Sequence, residues 1–122
     1  MTDQPLAVYS PEEVEAKIAE LGLEGWYHDA DGGWLRRKYS TDGWQATLML
    51  VNAVGFYAEA ADHHPDLEVH WGSVSVALST HSAGGITASD VELAQLIERT
   101  ALWRPQPGSS ALRGTTKKFV GS

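Results

Sequence analysis

Hydrophobic positions along the chain switch between helical spacing and strict alternation, and each switch marks an element. Val14, Ile18 and Leu21 recur at helical spacing. Ser10-Pro11-Glu12-Glu13 stands before them as a capping box with proline at the first helical position, and Gly22 closes the segment. Two aromatic-rich runs, Leu23–His28 and Trp34–Tyr39, flank Asp29-Ala30-Asp31-Gly32-Gly33, a composition that predicts a β-hairpin. From about Asp42 to Ala61 a second helix is expected. Its apolar residues Leu48, Leu50, Val51, Val54, Phe56 and Tyr57 cover more than one stripe.

His63-His64-Pro65 ends that helix, because proline disfavours helical geometry in the residue before it. Two strands are predicted next, near Leu67–Trp71 and Val74–His81. In the second, Val74, Val76, Leu78 and Thr80 share one face, while Ser73, Ser75, Ala77, Ser79 and His81 share the other. The first face suits a core. The second is a floor of small residues ending in a histidine, flat enough for a ring to lie on. After the Gly84-Gly85 turn, Thr87-Ala88-Ser89-Asp90 starts a last helix carrying Val91, Leu93, Ala94, Leu96, Ile97 and Ala101. Pro105 and Pro107 end it.

The resulting order is α-β-β-α-β-β-α, an α+β fold with helices on one face of a four-stranded, mostly antiparallel sheet. At 122 residues a single domain over 1–103 is expected, with 104–122 as a flexible tail. One face of a sheet covers only part of the apolar middle helix, so a homo-oligomer is expected.

Charge refines this picture. The formal net charge is −7. All sixteen acids precede Trp103 and face five basic residues there, whereas the tail carries Arg104, Arg113, Lys117 and Lys118 with no acid. An acidic body argues against nucleic-acid binding, which needs clustered lysine and arginine. Met1–Val8 has neither a basic stretch nor an apolar run, which argues against a secretory leader. The uncharged stretch Gly43–Ala58 falls short of the ~20 apolar residues of a membrane span. A cytoplasmic protein is expected. Cysteine is absent, which removes disulfides, thiolate metal sites and thiol nucleophiles.

Four of the five histidines lie between His63 and His81, flanked by Glu59 and Asp90. Imidazoles bind metals, but no His-Glu-x-x-His pair shares a helical face here. No Gly-x-Ser-x-Gly elbow is present for nucleophilic catalysis. General acid–base chemistry suits the set better, since an imidazole titrates near ~6.5 and both donates and accepts protons at neutral pH. Surface histidines in turns would give the same spacing.

Glu59-x3-His63-His64-Pro65, then Trp71, His81 and Asp90 at their separations, resembles the signature of pterin-4a-carbinolamine dehydratases. Thr80-His81-Ser82-Ala83-Gly84-Gly85-Ile86-Thr87 is similar to the same family, as are Gly25-Trp26, Tyr39, Trp44 and Leu93-Ala94. The likeness spans roughly Ser10 to Ala101. It implies a four-stranded antiparallel sheet backed by helices, assembled as dimers or tetramers. It also implies dehydration of 4a-hydroxytetrahydropterin to quinonoid dihydropterin, without metal or cofactor, in support of an aromatic amino-acid hydroxylase.

By position, His63, His64 and His81 would be the active-site histidines. His63 and His81 would move protons at the 4a-hydroxyl and the ring nitrogen, and His64 would bind or orient the pterin; acid and base stay unassigned. Glu59, one turn before His63, would orient it, or be a solvated helix-end charge. Asp90 would support the site, or only stabilise the start of its helix. Trp26 and Trp71 would stack on the pterin, or be core. The chain departs from the family in four places: Trp71 stands where many members have tyrosine, Thr41 replaces an aromatic, Leu67-Glu68-Val69-His70 differs from the stretch of animal members, and the tail extends past the family core. The rival function is a non-catalytic dimerisation or assembly factor on the same fold.

Overall fold

Ser10 starts the first helix as its sequence predicts. Its Oγ accepts the Glu13 N–H at 3.1 Å, and the Glu13 carboxylate accepts the Ser10 N–H at 2.8 Å. The helix α1, Pro11–Glu20, buries Val14 and Ile18. In this computed structural model residues 6–121 are described. Met1–Pro5, part of the stretch inspected for a leader, and Ser122 of the tail lie outside the described residues.

The chain does not enter a strand at Leu23. Leu23 N–H bonds to Ile18 O and Trp26 N–H bonds back to Leu23 O, so local turns hold both residues in the core. Strand β1 is short, Tyr27–Asp29, and its hairpin partner β2 runs Trp34–Ser40. The longer helix α2 is Trp44–Ala61. Strands β3, Asp66–His70, and β4, Ser73–Leu78, precede helix α3, Ala88–Leu102. The α-β-β-α-β-β-α order is therefore the observed one.

All four strands pair antiparallel in the order β1-β2-β4-β3. Pairing of Leu35 with Leu78, Arg37 with Val76 and Tyr39 with Val74 puts these side chains on one face. There the apolar ones join Val14, Ile18, Leu50, Val54, Leu93 and Ile97 from the three helices in a single core. The opposite face carries Arg36, Lys38, Ser75, Ala77, Asp66 and Glu68, and no helix of the described residues packs on it. Strand β4 ends at Leu78 rather than His81, because Thr80 N–H bonds to Gly85 O and folds the segment into a turn.

Ala46, Leu50, Val54 and Ala58 form the buried stripe of α2 at a spacing of four, with Thr47 beside it. Leu48, Met49 and Phe56 face outward, Phe56 with 71 % of its surface exposed. The over-apolar middle helix thus leaves a greasy outer face. Among the described residues no helix is long and apolar enough to cross a membrane.

Part of the segment after Trp103 packs back on the body. Val120 is buried and bridges Thr41, while Asp42 N–H bonds to Phe119 O and Gly121 N–H to Ser40 O. Arg104 stacks over Phe119 at 4.4 Å and donates to Val120 O. Two apolar side chains and a borrowed strand edge at Ser40–Asp42 return the segment to the body.

Candidate active site

The start of α3 holds the most enclosed polar group near the histidines. Asp90 is fully buried. Its Oδ2 accepts the Thr87 N–H at 2.9 Å and the Thr80 hydroxyl at 2.7 Å. Thr80 spends its one proton on Asp90, so in the 2.8 Å contact between the two threonines Thr87 is the donor. Thr87 Oγ1 also accepts the Ser89 N–H as a helix cap. The remaining oxygen, Oδ1, stands 2.6 Å from His63 Nε2. A carboxylate offers only acceptors, so Nε2 carries the hydrogen and donates, which leaves the lone pair on Nδ1.

His63 reaches Asp90 because α2 ends abruptly. Asp62 takes a left-handed conformation, φ 51°, and its N–H closes on Ala58 O and Glu59 O. The chain turns there and presents His63 to α3, 27 residues further on. His64 then faces the other way. Its Nε2 meets Glu59 Oε1 at 2.6 Å in a pair exposed to solvent on both sides. The expected pairing of Glu59 with His63 is therefore corrected: Glu59 holds His64, and Asp90 holds His63.

His81 sits in the turn from Thr80 to Gly85 and is exposed. Its ring meets Trp34 edge-on, with centroids 5.6 Å apart and planes at 77°. Trp34 lies close over the hairpin turn, where a Cβ on Gly32 would stand 2.9 Å from its indole nitrogen. Gly32 adopts φ +92°, so only glycine suits both the turn and the ring. Because Asp66 pairs with Ala77 and Leu35 with Leu78, the start of β3, the end of β4 and the start of β2 share one end of the sheet. His63, His64, His81 and Trp34 all flank that end. Each histidine has its own partner: Asp90, Glu59 and Trp34 respectively. Among the described residues no three His, Asp or Glu side chains gather as a metal-binding group.

Residues 7–100 match the family model of pterin 4 alpha carbinolamine dehydratase. The chain belongs to that family.

A protein of Aquifex aeolicus, provisionally named pterin-4-alpha-carbinolamine dehydratase, is 45% identical over 73% of this chain and 86% of its own length. One of Mycolicibacterium vanbaalenii, named in the same way, is 42% identical over 76% of this chain and 96% of its own. A crystal structure from Brucella melitensis, described as a transcriptional coactivator/pterin dehydratase, superposes with a TM-score of 0.70 at 24% identity. That match covers 75% of this chain and 96% of the other. At that identity the likeness is one of fold.

Two residues expected at a pterin dehydratase site lie elsewhere. Trp26 is in the core, 2 % exposed, and its indole N–H donates to Glu98 at 3.1 Å. Packing on both sides leaves no ring face for a ligand. Glu98 Oε1 also accepts from Arg37 Nε at 3.2 Å and from the Tyr39 hydroxyl at 2.6 Å, with the guanidinium stacked on Tyr39. Burial pushes the Tyr39 hydroxyl far above its ordinary range, and the Glu98 carboxylate adds to this. The Gly25 of Gly25-Trp26 has a packing reason, since a Cβ there would stand 2.5 Å from Arg37 Nε. Trp71 lies in the turn between β3 and β4 with its ring over Gly43. Strand β3, at ~3.3 Å per residue, carries it to the end of the sheet away from the histidines.

Sequence reasoning missed Trp34, Thr80 and Thr87. The spacing Thr87-x-x-Asp90 signals the capping half of their network, but nothing local announces that Thr80 and His63 join it.

Proposed function

We propose that this chain catalyses the dehydration of 4a-hydroxytetrahydropterin to quinonoid dihydropterin, with histidines as acid and base. The observation that carries this is His63, fixed on a buried, fully hydrogen-bonded Asp90 with Nδ1 free to take a proton. Family membership supports the same substrate. In the proposed step, His63 Nδ1 takes the proton on N5. The N–H electrons form the C4a–N5 double bond, the C4a–O bond breaks, and His81 protonates the departing hydroxide to water. The imidazolium formed on His63 faces Asp90, the arrangement by which a buried carboxylate stabilises a catalytic imidazole. His81, exposed beside Trp34, recovers its proton from water. His64, held by Glu59, orients the ring.

The reading extends to the assembly and the setting. The outward face of α2, with Leu48, Met49 and Phe56, suits a second copy of the chain in a homodimer or homotetramer. A cytoplasmic place beside an aromatic amino-acid hydroxylase, recycling its tetrahydropterin, follows from the reaction. The same apolar face also favours the second reading, a non-catalytic dimerisation or assembly factor.

Generating 4a-hydroxytetrahydropterin and following its loss by absorbance separates the two. Turnover is expected to be unaffected by chelator, to fall about 100-fold in His81→Ala and about tenfold in His64→Ala. A wild-type rate no faster than the spontaneous reaction would leave only the assembly factor.

A further inference from the structure

His63 and His64 are each held by a carboxylate, whereas among the described residues no partner hydrogen-bonds the His81 ring. His81 is exposed, and an exposed side chain changes rotamer on the picosecond to nanosecond scale unless something stops it. What meets its ring is the edge contact with Trp34, and Trp34 is itself fixed. The Arg36 guanidinium lies 5.5 Å from the centre of the indole, and Asp29 holds that guanidinium at 2.8 Å. The nitrogen edge of the indole abuts the Gly32 turn. Contacts therefore run without a break from Asp29 through Arg36 and Trp34 to His81.

The backbone that carries His81 is held from a second direction. The Ala83 and Gly84 N–H groups bond to Thr80 O and close the turn. Tyr9, just ahead of α1, donates its N–H to Ile86 O at 2.8 Å, which brings Val8 against Gly85. A Cβ on Gly85 would stand 2.8 Å from Val8 Cγ1, so glycine leaves the room that this stiff, branched side chain fills.

We propose that Trp34 and Val8 are positioning residues for His81: Trp34 fixes the ring, and Val8 fixes the turn beneath it. The proposal rests on the dehydratase reading above, in which His81 protonates the departing hydroxide. That role needs one ring nitrogen aimed at the leaving oxygen and a route to water for the next proton. A carboxylate on the ring would occupy one nitrogen. An aromatic contact orients the ring and leaves both nitrogens open. Orientation matters because proton transfer requires hydrogen-bond reach, and a misplacement of about 1 Å costs up to about 100-fold. Both residues act through His81, so their contribution should vanish when His81 is gone.

The test is a double-mutant cycle in the dehydration assay, with rates taken above the spontaneous reaction. Trp34→Ala is expected to lower kcat about tenfold with KM within about twofold of wild type, and Trp34→Phe, which keeps an aromatic ring, to stay within about threefold. In a His81→Ala background, Trp34→Ala should cost less than about twofold more. Val8→Ala should lower kcat about threefold, again only while His81 is present, and should speed amide exchange at Ala83 and Gly84, which Trp34→Ala leaves unchanged. A tenfold loss that persists without His81, or a loss carried by KM alone, would put Trp34 on the substrate and overturn its positioning role. Wild-type kcat and exchange in Val8→Ala would overturn the role of Val8. A wild type no faster than the spontaneous reaction sinks the dehydratase reading instead, and NMR then reads the contact without turnover. His81 ring protons displaced by the indole ring current in wild type, and returned to free-histidine shifts in Trp34→Ala, support a fixed ring; free-histidine shifts in wild type overturn it.

Discussion

Two carboxylates on α3, Asp90 and Glu98, each take three donors, and they stand about 12 Å apart along the helix at ~1.5 Å per residue. Around Glu98 the donors are an indole, a guanidinium and a phenol whose ionisation burial pushes far upward. That phenol keeps its proton near neutrality. Around Asp90 two donors are a threonine hydroxyl and a backbone N–H, and the third is the His63 imidazole. The same device, a carboxylate that takes three donors, is a staple in one place and, in the proposed reaction, the support of a proton acceptor in the other. What differs is the set of donors, which includes an imidazole only at Asp90.

The comparison breaks most sharply at Asp90. Asp90→Asn removes the charge that stabilises an imidazolium on His63, so kcat should fall about 1000-fold while circular dichroism keeps the native shape. A variant within about threefold of wild type would make Asp90 a helix cap and nothing more. Glu98→Gln should act on the other axis. It leaves the buried Arg37 guanidinium without its charged partner, which costs about 3 kcal/mol, read as a lower denaturant midpoint, with kcat of the folded enzyme kept. A loss of kcat larger than the loss of stability would show that the two knots are coupled.

The smallest effect concerns pH. Tyr39 has its folded value raised above the ordinary 10.0, so the unfolded chain releases this proton first as pH rises. Its contribution is complete below about pH 10 and is lost above it, by up to about 1.4 kcal/mol per pH unit. Tyr39→Phe should flatten the decline of stability between about pH 10 and 11 by that one-proton slope. An unchanged slope would mean that the phenol ionises as freely in the fold as outside it.

How the acids and histidines divide was only half legible beforehand. Glu59 and His63 are four residues apart, the spacing of neighbours on a helix, and pairing them is the natural expectation. The helix stops too soon for that. The left-handed turn at Asp62 rotates His63 toward α3 and leaves Glu59 to His64. Similarly, Trp26 and Trp34 are both tryptophans near a hairpin. One lies in the core and donates to a half-buried acid 72 residues away, and the other is left at the surface against His81.

Features set within a few residues were open to reading from the chain alone. The Ser10 cap, the alternation along β4, the break at Pro65 and the element order all depend on near neighbours, where backbone geometry and side-chain period leave few choices. Which donor meets which acid, where the tail comes to rest, and which face of the sheet stays bare were decided by packing between distant segments. Hydrogen bonds across 27 or 72 residues form only once the core has brought α2, α3 and the sheet together, and no local pattern encodes that meeting.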